Sequence, residues 1–271
     1  MKKYLLYILI LVGINLTSCE EVVEVDLKTD PEKLVIDANL YVDVENPTLS
    51  QVIKLSKTVG FYDSENFNPF TGAQVWIDDS LGNQYQFIDS NQNGHYTCSN
   101  FIMNLNTTYT LHVIANGESY TAEEIFYNTP EIAYIEQKDD GGFLGDNFEF
   151  RIWFQDNALQ ENYYQLIDNA TGKTEFDVKD DTFSNGNLMN FIVSDSDLEI
   201  GDSVNITFSE TSKSYYLYMQ KLLSVSQNTG NPFASPIGVI RGNIINNSNP
   251  DNYPLGIFSL QKAYYKTLTV Q

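Results

Sequence analysis

From Leu34 to Val44 every second residue is apolar: Leu34, Ile36, Ala38, Leu40, Val42 and Val44. A helix would scatter these side chains around its surface, whereas a strand sets them all on one face. The same period returns at Gln51 to Ser56, at Ala73 to Ile77 and at Gln84 to Ile88, the last two flanking Leu81-Gly82-Asn83 as a hairpin. Gly94-His95-Tyr96 leads into another short strand. Thr108 to Ala115 and Glu118 to Ile125 flank Asn116-Gly117, two residues that accept the positive φ a tight hairpin turn requires. The 18 Tyr and 16 Phe lean the same way, because aromatic side chains pack well on a pleated surface. Short strands at regular turn spacing over residues 33–128 predict a β-sandwich.

Asn128-Thr129-Pro130 marks the expected boundary to a second all-β domain, residues 129–271. Phe148, Phe150, Ile152 and Phe154 alternate there, and Asn162 to Ile167, Thr174 to Val178, Met189 to Val193 and Val204 to Phe208 read as further strands. One segment has the helical period instead. Thr211-Ser212 can cap a helix, Tyr215 to Val225 carries apolar residues on one side, and Asn228-Thr229-Gly230 stops it, so a single amphipathic helix is expected near 212–226. A strand at Gly238 to Gly242 and two last strands, around Gly256-Ile257-Phe258 and at Tyr265 to Val270, complete the expectation.

The first residues obey other rules. Met1-Lys2-Lys3 is basic, and Tyr4 to Ile14 is apolar but too short to cross a bilayer, the build of a signal peptide over residues 1–18. Leu16-Thr17-Ser18-Cys19 has the form of a lipobox, which makes Cys19 the expected lipid-attachment residue; several acyl chains on one residue suffice for stable anchoring. Residues 19–32 then form an acidic tether, with a first short strand at Val22 to Leu27. No Asp follows Cys19, and Glu20-Glu21 does, which points to an outer-membrane anchor with the body facing the cell exterior.

A formal charge of −21 repels nucleic acid and anionic surfaces. With Cys19 acylated, Cys98 has no intramolecular disulfide partner and reads as a small buried group in a strand. His95 and His112 lie in strands without a second His at ligand spacing, short of the three or four ligands of a usual zinc site. No Gly-x-Ser-x-Gly elbow and no phosphate loop is present. Asp89-Ser90-Asn91-Gln92-Asn93-Gly94 begins like a calcium loop, but its twelfth position is Asn100 instead of Glu and no helices flank it, so a β-turn is the cheaper reading. The pairs Tyr163-Tyr164, Tyr215-Tyr216 and Tyr264-Tyr265 offer either a sugar or peptide platform or core packing. Asp79-Ser80-Leu81 matches an O-glycosylation sequon at an accessible hairpin tip. The expectation is therefore no catalytic residue, no metal site and no cofactor.

The order of these parts resembles the Bacteroidota lipoproteins grouped as domain of unknown function four-two-four-nine. The resemblance rests on Cys19-Glu20 with Val25-Asp26-Leu27, on Leu34-Val35-Ile36, Ala73-Gln74-Val75-Trp76-Ile77, Gly94-His95-Tyr96 and Thr108-Tyr109-Thr110-Leu111. It continues through Ser214-Tyr215-Tyr216, Asn231-Pro232-Phe233, Gly242-Asn243-Ile244 and Leu255-Gly256-Ile257-Phe258-Ser259. Usual members have Gly-Tyr-Phe where this chain has Gly256-Ile257-Phe258, a departure expected to alter local packing only. The resemblance implies an outer-membrane lipoprotein, often encoded near a TonB-dependent receptor, without established activity. The first domain also looks like the Ig-like, transthyretin-like sandwiches of the carboxypeptidase-regulatory kind, which are commonly non-catalytic. The resulting expectation is a non-enzymatic binding or accessory lipoprotein beside a TonB-dependent nutrient-uptake receptor, its ligand unknown, with a surface hydrolase of glycan or peptide and an adhesive surface protein as the alternatives.

Overall fold

The alternating run that opens the folded body becomes β1 (Leu34–Asp43), with Ile36, Ala38 and Leu40 fully buried on one face and Asp37, Asn39 and Tyr41 on the other. The computed structural model describes residues 31–60, 67–142, 144–228 and 238–271, and Glu32–Gln271 forms one compact unit. After β1 come β2 (Gln51–Lys57), β3 (Gln74–Asp79), β4 (Gln84–Phe87), β5 (His95–Cys98), β6 (Thr108–Ala115) and β7 (Glu118–Ile125). The second half adds β8 (Ile132–Gly141), β9 (Asn147–Gln155), β10 (Tyr163–Ala170), β11 (Lys173–Asp180), β12 (Leu188–Ser194) and β13 (Ser203–Thr211). The helix α1 (Lys213–Asn228), β14 (Ile245–Asn246) and β15 (Leu255–Thr269) close the chain. Asn116 and Gly117 take φ of 50° and 78° between β6 and β7, and Thr171 and Gly172 take 52° and 79° between β10 and β11, so both hairpins use the mirror-image turn that matches strand twist.

Among the described residues the fold is all-β apart from the helix, with two sandwiches. A seven-stranded sheet runs β11-β10-β13-β15-β1-β2-β5, and two smaller sheets, β14-β7-β6-β3-β4 and β12-β9-β8, lie against it. The first core joins Ile36, Leu40, Ile53 and Tyr96 to Val75, Ile77, Leu111 and Val113; Phe101 fills it, edge-on to Tyr85 at 4.9 Å and to Tyr109 at 5.6 Å. In the second core Phe154 meets Tyr164 and Phe208, each at 4.6 Å between ring centres. Phe258 and Leu260 in the first core and Tyr264 and Leu268 beside the second share one parity on β15, so one face of the long sheet serves both.

This arrangement corrects the expected boundary at 128–129. Residues beyond it complete the first sandwich: Ile244, Phe258 and Leu260 belong to its core, and β14 is an edge of its front sheet. The two last strands expected are one, β15. Its first part pairs in parallel with β1 and its second part antiparallel with β13, and Ala263 is the pivot, opposite Asp43 on one side and Ser209 on the other. A strand switching partners midway keeps one unbroken alternation, so the two cores share a wall. The strand expected at Gly238 to Gly242 is not formed. The chain instead crosses close over β15, where a side chain on Gly242 would sit 1.9 Å from the Gly256 carbonyl oxygen. Gly256 itself needs its small size, with φ of +99° and the Ile36 carbonyl oxygen 2.0 Å from where a Cβ would be. β8 was not expected; it is a bulged outer strand whose side chains are mostly half-exposed, so it lacks the alternation that announces a buried face. The short strand expected at Val22 to Leu27 lies outside the described residues.

The helix covers the other face of the long sheet. The Ser212 hydroxyl accepts from the Tyr215 amide (3.2 Å), the N-cap that sequence indicated. Tyr215 and Met219 bury against Ile257, ringed by Val178, Tyr218 and Leu222. Beside this small apolar contact the sheet is polar. Gln261 donates to Asn39 Oδ1 (3.0 Å) and Tyr41 Oη (3.4 Å), Ser209 donates to Gln261 Oε1 (2.5 Å), and Gln165 reaches Tyr41 Oη (3.2 Å). Burial pushes the Tyr215 hydroxyl pKa up, and the nearby Tyr41 adds to it.

Candidate functional site

Strand parity builds a binding face on the first sandwich. Val75 and Ile77 point into the core, so Gln74, Trp76 and Asp78 point outward from β3. Register then sets Gln86 of β4 on one side of Trp76 and His112 of β6 on the other. The imidazole of His112 stacks on the indole at 4.8 Å with the planes 6° apart. Asp78 holds the pair: its Oδ2 accepts from Trp76 Nε1 (3.2 Å) and lies 3.2 Å from His112 Nε2. Its Oδ1 accepts from Gln84 Nε2 (2.8 Å), and Gln86 Nε2 donates to Gln84 Oε1 (3.0 Å). A chain of five side chains is thus fixed on an outer sheet face.

A cavity of about 530 Å³ opens beside this chain, within the size range of small-ligand pockets. Trp76, Gln74, Gln84, Gln86, Ile88 and Asp89 line it, and His112 does not. The imidazole covers one face of the indole, and the cavity reaches Trp76 from the β4 side, next to Gln86. Asp89 is committed to its own turn, its oxygens accepting from the Asn93 amide (3.0 Å) and the Gly94 amide (2.9 Å). That is the geometry of the β-turn reading of Asp89 to Gly94, with Gln92 and Gly94 both at positive φ.

A second cavity, of about 440 Å³, lies where the linker after β7 meets β10 and β13, lined by Tyr127, Asn128, Gln160, Tyr164 and Glu210 among others. Glu210 is buried. Its Oε1 accepts from Asn162 Nδ2 (2.8 Å), and its backbone amide donates to Thr129 Oγ1 (2.8 Å). Burial pushes its carboxyl pKa up to about 7; the Asn162 bond opposes this, and the charges of Asp156 and Asp181 add to it. Asp156 accepts from the Tyr164 hydroxyl and the Gly186 amide, both at 2.6 Å, and Asp181 accepts from the Asn162 amide at 2.9 Å. Glu124, at the end of β7, is another buried acid. It accepts from Ser212 (3.0 Å), Ser214 and Asn243 (2.7 Å), and its pKa is raised by burial against these bonds. Asn243 in turn holds β15, donating to the Phe258 carbonyl (2.8 Å) and accepting from its amide (3.0 Å). Glu124 therefore ties the cap of α1 to β7 and β15.

Cys19 lies outside the described residues. Cys98 is buried in β5 as expected. His95 and His112 are on different sheets; His95 packs near Phe67, at 5.5 Å between ring centres, so the structure does not bring the two together. Ser80 is exposed at its hairpin tip, as expected. Of the tyrosine pairs, Tyr164, Tyr215 and Tyr216 are buried, Tyr264 packs against the second core, and Tyr163 packs on Tyr216 at 5.0 Å, so packing accounts for five of the six. Sequence reasoning missed Trp76, Glu124 and Glu210 as site residues. The signal was parity. Trp76 is a large aromatic in the outward register, whereas Glu124 and Glu210 are acids that continue the inward registers of Tyr120-Ala122 and Ile206-Phe208.

A family model described as "Domain of unknown function (DUF4249)" matches residues 20–267. No curated protein matches the chain. Among solved structures, a two-domain fibronectin type III segment of chicken tenascin is 10% identical over 65% of this chain and 90% of that one, with a TM-score of 0.21. A cytokine receptor complex is 6% identical over 88% and 96%, TM-score 0.26. The FN1–FN3 domains of chicken CNTN1 are 10% identical over 86% and 65%, TM-score 0.20.

Proposed function

This chain belongs to the DUF4249 family, and we propose that it is a non-catalytic, lipid-anchored binding protein of the outer membrane, facing outward and working beside a TonB-dependent receptor. The observation that carries the binding role is the cavity against Trp76. Its lining amides are oriented by one another, and its two neighbouring carboxylates, Asp78 and Asp89, already accept hydrogen bonds from protein donors on both oxygens. Groups so engaged support a role in holding a ligand over one in moving a proton. Cys19 in its lipobox supports the anchor, and Glu20-Glu21 supports the outward side.

Two experiments test this reading. The Cys19→Ala protein is expected in the soluble fraction and the native protein in the outer membrane; equal fractionation overturns the anchor. Incubated with complex polysaccharide or denatured protein, the purified native protein is expected to release no shortened product. The observation favouring the second reading, a surface hydrolase, is Glu210, an acid poised near neutrality on the wall of a cavity. Release of shortened products that disappears in Glu210→Gln would establish that reading instead.

A further inference from the structure

The cavity beside Trp76 carries more than the general statement that something binds there. Its aromatic wall is Trp76; His112 is stacked on one face of the indole, so the face on the β4 side, beside Gln86, is the one a ligand would meet. Such a face attracts the weakly positive C–H edges of a flat, partly apolar ring. A cationic ligand would also be drawn to an indole. Asp78 is tied to the Trp76 indole, His112 and Gln84, and Asp89 to two backbone amides of its own turn; these bonds orient both carboxylates, and spermine serves as the control for a cationic ligand. An anion meets no Lys or Arg among the described lining residues and a chain of −21 overall. What faces the cavity is carboxamide: Gln74, Gln84 and Gln86. An amide both donates and accepts, which is what a hydroxyl needs from its partner. The half-open position at a sheet edge, with exposed Ile88 at the rim, suits a piece of a longer chain lying across it.

We infer that this face binds a neutral oligosaccharide, one sugar ring stacked on the β4-side face of Trp76 and its hydroxyls held by Gln84, Gln86 and Gln74. The inference rests on the binding role proposed above and names the class of its ligand.

The test uses the native lipidated protein in a detergent without a sugar headgroup. The probes are hexasaccharides of glucose (α-1,4 and β-1,4), mannose and xylose, with oligogalacturonate and spermine as charged controls, titrated by calorimetry. At least one neutral hexasaccharide is expected to bind, and neither charged control. Trp76→Ala is expected to weaken that binding by about tenfold, and Gln84→Ala or Gln86→Ala by about fivefold. Trp153→Phe, on the second sandwich, is expected to leave it unchanged. The glutamines are exposed, so their variants remain informative even where Trp76→Ala disturbs the sheet. Binding of a charged control alone, binding of no probe, or sugar binding indifferent to all three variants overturns the inference. Should receptor co-purification from the outer membrane persist through such a result, the ligand class alone is refuted and the accessory role stands.

Discussion

Replacing Glu210 by Gln should make the protein more stable at high pH. In the fold its carboxyl is pushed up to about 7, against an ordinary value of 4.5, because it is buried and because Asp156 and Asp181 are close. A raised carboxyl binds its proton more tightly folded than unfolded. Its contribution is therefore fully present below about pH 4.5 and is lost as pH rises through about 7. At 1.36 kcal/mol per unit, the loss by pH 8 is about 3 kcal/mol. The carboxamide of Glu210→Gln imitates the protonated acid, keeps an oxygen for Asn162 and cannot ionise. Urea unfolding of both proteins, followed by fluorescence at pH 5, 6, 7 and 8, measures the difference. The two should be within about 1 kcal/mol at pH 5, and the variant should lead by about 3 kcal/mol at pH 8. Asp168, raised to about 6 by burial and by Glu175, Asp177 and Asp195, titrates in both proteins and cancels. Stabilities that fall in parallel from pH 5 to pH 8 would refute the reasoning, for they would mean that Glu210 is ionised in the fold throughout.

Gly256→Ala places a methyl on the Ile36 carbonyl at a backbone angle that disfavours any side chain, so it should cost about 3 kcal/mol or more, read as a lowered urea midpoint; a loss under about 1 kcal/mol would contradict the tight approach of β15 to β1. Ser212→Ala removes the α1 cap and one donor to buried Glu124, and should cost about 2 kcal/mol, with amide exchange rising first in α1; uniform exchange across the protein would contradict a local latch.

Much of the fold was legible because buried faces write themselves at period two. The runs at Leu34–Val44 and Thr108–Ile125 gave strands, and Asn116-Gly117 gave its turn, since each is decided by neighbours in sequence. What escaped was decided at long range. Nothing near Ala263 says that β15 leaves β1 for β13 there, and the pairing that makes two sandwiches share one sheet is set by which partners bury the most apolar surface. β8 escaped because a half-exposed strand has no apolar face to advertise. At the candidate site, the Trp76–His112 stack depends on a register between β3 and β6 that only the fold supplies. Glu124 and Glu210 could have been found: each continues the inward parity of its strand, and an acid in a core register is a feature that needs a reason.

The most direct test of the central claim is native mass spectrometry of the tagged protein extracted from its own outer membrane. The account predicts a chain beginning at Cys19 and carrying acyl mass, in a stable complex with a TonB-dependent receptor. A chain without acyl mass, recovered alone, would contradict it.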